Sequence, residues 1–196
     1  MVFIMPASVI AKIYGFLALL FFLSSINAVR ATTFDIPSAH ISKIGNGHVL
    51  NATINYPLTP RVIEALDNGI PIIFFQEFKL LDITPLLGEY WQWEETLWQT
   101  KIRYELRYHA LAQQYILQDL ATGKESHFPS LEGTLHALGK VQNFTLPPEH
   151  LVNTNDLTFL LRSGIDLYAL PTPMRPGAII SSKWHLTSPW TPAQWH

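Results

Sequence analysis

The sequence predicts a mainly β protein: a single antiparallel β-sandwich with two short helices, preceded by an N-terminal signal or anchor helix. Three observations carry this. Several segments alternate apolar and polar residues with the period of a strand. Turn residues recur at short spacing between them. Only two stretches carry helix start and stop signals, which leaves strands as the bulk of the fold. The 196 residues suit one core, and seven or eight strands are expected.

Lys12 is the only charge before Arg30, and Ile13–Leu23 is strongly apolar. This matches the apolar region of a signal peptide. Ala28 and Ala31 offer small residues for cleavage, and the "VRA" site is preferred. An uncleaved anchor is the alternative, although the uncharged run from Ile13 to Val29 is short for a span of about 20 residues. Residues 1–31 are therefore read as signal peptide or membrane anchor, and 32–196 as one β-sandwich domain with a Pro- and Trp-rich tail. Either reading places the body outside the cytoplasm, in the periplasm or at the periplasmic face of the inner membrane. Cleavage after Ala31 removes Lys12 and Arg30 from the 13 basic residues, leaving 11 against 15 acidic ones.

"GNG" at 45–47 marks a hairpin, so Phe34–Ile44 should pair with His48–Leu58. In the second strand Leu50, Ala52, Ile54 and Tyr56 share one face. Thr59 and Pro60 open a short helix that Gly69 follows. Pro71 then begins a strand with Ile72, Phe74, Phe78 and Leu80 on one face. "EYWQWEETLW", 89–98, reads as a loop whose Trp side chains pack inward. Thr96–Tyr108 alternates most sharply, with Trp98, Ile102, Tyr104, Leu106 and Tyr108 opposite Gln99, Lys101, Arg103, Glu105 and Arg107. "QQYILQDL" returns, "ATGK" turns, and "SHFPS" leads into a helix capped at Ser130 and closed by Gly139. "DLTFLLRSGIDL" is a late strand. The tail from Leu170 is expected to run over the sandwich.

The charges are scattered without a basic stripe, which excludes nucleic acid as a partner. There is no cysteine, so disulfides, thiol nucleophiles and Cys-based zinc sites are excluded. The eight histidines show neither HxH nor HExxH spacing, and no metal or cofactor is expected. No catalytic residue is assigned. Candidate binding residues are Arg103, Arg107 and His109, which share one strand face. Arg162 and Asp166, four apart on the late strand, are a second set. Trp184 and Trp190 are a third, as exposed aromatic anchors together with Trp195. For the first two sets the competing reading is structural: a solvated sheet face ending in a corner, and an ion pair. In "LRYHALAQQY", 106–115, the two tyrosines should anchor adjacent strands.

"LTPRVIEALDNGIPIIFFQEFKL", "LRYHALAQQYIL", "FPSLEGTLHALG", "LLRSGIDLYALPTPMRP" and "ISSKWHLTSPW" follow in an order that resembles the exported bacterial family known as domain of unknown function 4390. The matching positions include Tyr108, His109, Tyr115, Arg162, Asp166, Pro171, Trp184 and Trp190. The resemblance implies a small proteobacterial envelope protein with no assigned activity. It also implies genes lying near those of a nitrogen-regulation-type membrane sensor kinase, hence an accessory role in envelope signalling.

Three functions follow as expectations. The first is a non-enzymatic module that binds an envelope or inner-membrane protein. The second is a binder of a small apolar ligand or glycan, with a cavity lined by the Phe74–Phe78 and Trp98–Tyr108 faces. The third, most remote, is a hydrolase using Glu94 or Glu95 with His109.

Overall fold

The computed structural model describes residues 33–85, 92–151 and 157–196. The expected signal or anchor segment and residues 89–91 of the "EYWQWEETLW" stretch lie outside these residues. No helix among the described residues is long and apolar enough to cross a membrane.

Among the described residues ten strands form two sheets. They are β1 (Asp35–Ile44), β2 (Gly47–Asn55), β3 (Ile72–Pro85), β4 (Gln92–His109), β5 (Gln114–Asp119), β6 (Glu125–Phe128), β7 (Lys140–Thr145), β8 (Leu157–Ile165), β9 (Thr191–Pro192) and β10 (Gln194–Trp195). The smaller sheet runs β10-β1-β2-β7 and the larger β6-β5-β4-β3-β8-β9. All pairs are antiparallel except β1 with β10, which is parallel. The β1–β2 hairpin forms over the expected "GNG", with Gly45 at a φ of 59°.

The two sheets share one apolar cluster. Phe34, Ile41, Leu50 and Ile54 contribute from the smaller sheet's side. Ile72, Phe74, Phe78, Leu80, Leu106, Phe159 and Leu161 contribute from the larger. The rings of Phe78 and Phe144 stack at 4.5 Å between β3 and β7. Burial of these aromatic and aliphatic groups is the main term holding the layers together.

Among the described residues there are three short α-helices rather than two: α1 (Pro60–Asp67), α2 (Leu131–Gly139) and α3 (Arg175–Ile180). The Thr59 and Ser130 side chains cap α1 and α2 as expected, accepting from the Val62 and Gly133 amides. The third helix lies in the tail, where five prolines and a glycine mask any helical period. Helix α2 runs directly into β7, and Gly139 makes this junction possible. A β-carbon there would run into the Ile54 carbonyl oxygen.

Three further expectations are corrected. The tail does not merely cross the surface: β9 pairs with β8 and β10 with β1, so it joins both sheets. "ESHF" is the edge strand β6 rather than a lead-in to a helix. The described part of "EYWQWEETLW" belongs to β4, and Trp93 is 62% exposed instead of packed inward. The β3–β4 pairing keeps the chain extended there, from Leu81↔Thr96 to Pro85↔Gln92.

Candidate functional site

The "LRYHALAQQY" stretch is a hairpin. Tyr108 and Tyr115 pair across β4 and β5 with ring centroids 4.8 Å apart, so the tyrosines do anchor adjacent strands. His109 ends β4, and its Nδ1 accepts from the Ala112 amide at 3.2 Å. That is a turn-capping role. Glu94 and Glu95 lie at the other end of β4, and the nearer of them, Glu95, is fourteen residues from His109. At strand rise that is on the order of 45 Å. These three residues cannot form one hydrolytic site.

The outer face of the larger sheet gathers most of the remaining candidates. Arg162, on β8, faces Glu77 on β3, and their side chains meet at 2.8 Å. Glu77 is buried and also accepts from the Gln99 amide of β4. The Arg162 guanidinium lies 4.5 Å from the Trp190 ring centroid and 5.9 Å from that of Phe75. Lys79 covers the same tryptophan at 4.7 Å, and Lys101 covers Phe75 at 4.2 Å. The result is a row of alternating cations and rings across β4, β3, β8 and the approach to β9. Such contacts contribute about 0.5–1 kcal/mol each at exposed sites. Phe75 lies flat because its neighbour is Gly164: a β-carbon there would stand 2.7 Å from the ring.

Arg162 and Asp166 do not pair with each other. Asp166 lies just past the end of β8 and meets Arg103 at 3.5 Å. Arg103 thus borders the row. Arg107 stands farther along β4, bonded to Glu105 and Glu125. Among the described residues Lys79 and Lys101 form no ion pair, so the centre of this face keeps two uncompensated positive charges. Of the three late tryptophans expected as exposed anchors, Trp184 is 4% exposed and belongs to the core. Trp195 is half-buried, and its indole N–H donates to the Leu157 carbonyl. Only Trp190 lies on the charged face.

The inner face of the same sheet carries a second feature that the sequence reading missed. Gln76 Nε2 donates to the Leu138 carbonyl at 2.8 Å and to the Tyr56 hydroxyl at 3.1 Å. Tyr56 and Ser163 hydroxyls meet at 2.9 Å, and Ser163 donates to the Phe75 carbonyl at 2.6 Å. Carbonyls only accept, so the two ends fix every direction: Gln76 to Tyr56, Tyr56 to Ser163, Ser163 to the backbone. Burial pushes the Tyr56 hydroxyl up to about 12, against the opposing pull of its hydrogen bonds to Ser163 and Gln76. The available signal was a glutamine between Phe74 and Phe78, on a face that is otherwise wholly apolar.

Beside Gln76 the two layers part around a cavity of about 380 Å³. It is bounded by the inner face of β3 and β4, by Leu117 of β5, by the end of α2 and by β7. Four of its residues, Gln76, Phe78, Ile102 and Tyr104, come from the two strand faces expected to line a ligand cavity. Burial, and then the neighbouring Asp119, raise the Tyr104 hydroxyl above its ordinary value. No group of three or more metal-binding side chains occurs among the described residues.

Fold and surface together define a two-sheet β protein with a cation–aromatic outer face and a polar relay inside its core. The chain belongs to the family described as Domain of unknown function (DUF4390), which it matches over residues 31–194. No curated protein and no solved structure matches it.

Proposed function

We propose that the protein is a non-enzymatic interaction module of the bacterial envelope, in which the outer face of the larger sheet docks an acidic segment of an envelope or inner-membrane protein. One observation carries the reading: Arg162 held between Phe75 and Trp190, flanked by Lys79 and Lys101 without carboxylate partners. Arginine and tryptophan dominate the energetics of protein interfaces, and pre-ordered side chains lose little entropy on binding. The two free ammonium groups select for negative charge and speed encounter. The sandwich architecture gives this face a rigid, flat backing, and export through residues 1–31 would deliver it to the periplasm or hold it at the inner membrane. An accessory role beside a membrane sensor kinase fits the same surface.

The test is in-cell cross-linking of the tagged full chain, followed by mass spectrometry. A partner captured by the wild type should be lost in K79E/K101E and weakened by raised salt. A partner captured equally by both proteins overturns the proposed face. The same spectra report the mature N-terminus.

A further inference from the structure

We propose that the cavity between the layers is a binding site for a small anionic amphiphile, one with a compact apolar body and a hydrogen-bond donor. The inference is independent of the outer face. Its volume of about 380 Å³ falls within the range of small-molecule sites. Phe78, Ile102, Leu117, Val141 and Phe144 supply apolar walls for the body of such a ligand.

Gln76 supplies the donor preference. The residue is only 2% exposed. Both amide hydrogens are used, on the Leu138 carbonyl and the Tyr56 hydroxyl. The Leu138 carbonyl forbids a flip, because it can only accept. The amide oxygen therefore stays as an acceptor without a partner among the described residues, on a residue that lines the cavity. That oxygen is not one of the fully enclosed unpartnered atoms among the described residues, so it stays open to the cavity, where a ligand hydroxyl or N–H can donate to it. The relay through Tyr56 and Ser163 to the Phe75 backbone holds that acceptor in place.

Lys140 supplies the charge preference. It is the only ionisable lysine, arginine or carboxylate side chain among the lining residues, it is exposed, and it forms no ion pair among the described residues. It also lines a larger apolar groove of about 560 Å³ on the other side of α2, with Leu131, Leu135 and Glu132. The Glu132 carboxylate also lines that groove, so an anion is favoured in the inter-sheet cavity instead.

The probe pair is 8-anilinonaphthalene-1-sulfonate and uncharged N-phenyl-1-naphthylamine, which share a body and an N–H and differ in the sulfonate. Fluorescence titrations use protein purified from cells expressing the full chain. The wild type should bind the sulfonate more tightly than the uncharged probe. Lys140→Ala should weaken the sulfonate about five- to tenfold and leave the uncharged probe unchanged. Ile102→Trp, which fills the cavity, should abolish both. Leu135→Trp, which fills the outer groove, should change neither. Circular dichroism confirms that each variant is folded, and Ile102→Phe replaces the tryptophan variant if that one is not. Binding lost on Leu135→Trp but kept on Ile102→Trp overturns the assignment, as does an effect of Lys140→Ala on both probes alike.

Discussion

Arg162 takes part in three contacts at once: an ion pair with buried Glu77 and two ring faces. Its side chain is about one-third exposed, so solvent weakens the ion pair but does not cancel it. Removing the carboxylate leaves the cation under two rings with no counter-charge. Glu77→Gln should therefore lower stability by about 1–2 kcal/mol in urea unfolding, less than for a fully buried pair. Tyr56 makes a second prediction. Its folded-state proton is held up to about 12, above the ordinary value of 10. Between those values the unfolded chain has lost the proton and the native one has kept it. Stability should then fall as pH rises from 10 to 12, by about 2–3 kcal/mol from this residue. Tyr56→Phe should flatten that slope while costing about 1–3 kcal/mol at pH 7, because the Gln76 N–H loses its acceptor and the Ser163 hydroxyl its donor. Neither relay nor row could be read from spacing. Gln76 and Ser163 lie 20 and 107 positions from Tyr56; the register of β3 with β8 sets the first two side by side, and Tyr56 reaches them from just past β2 of the other sheet.

At the scale of elements, alternation proved the dependable signal. Thr96–Tyr108 places Trp98, Ile102, Tyr104, Leu106 and Tyr108 on the core face, and the outward residues carry the charged surface. The β1–β2 hairpin, α1 and α2 were equally legible, because their turn and cap chemistry is local. The tail was not. Two strands of two residues each have no period to detect, and their pairing depends on the edges of β1 and β8. Deleting Thr191–His196 would uncover both edges and remove the Trp195–Leu157 hydrogen bond. The melting temperature should drop by several degrees in calorimetry, and the exposed edges should promote association. At the α2–β7 junction, Gly139→Ala should cost about 2 kcal/mol or more. The added methyl must push the Ile54 backbone aside, where packing leaves little room to yield.

For the whole molecule, two surfaces divide the work. The inner layers hold an apolar core with one polar relay and a cavity. The outer sheet face presents ordered cations and rings that the core does not need. The sequence alone ranks the family resemblance and the export signal above any site, and it places Trp184 wrongly, as a late aromatic looks the same whether buried or exposed. Burial separates Trp184 from Trp190, and with it the core from the charged outer face. The most direct measurement of the central claim is quantitative cross-linking of the tagged full chain and K79E/K101E in parallel, with folding verified by equal melting temperatures. A specific envelope partner should be captured whose yield falls at least about tenfold in the variant and declines with salt, as steering by free charges requires. Equal yields of the same partner from both proteins would contradict it.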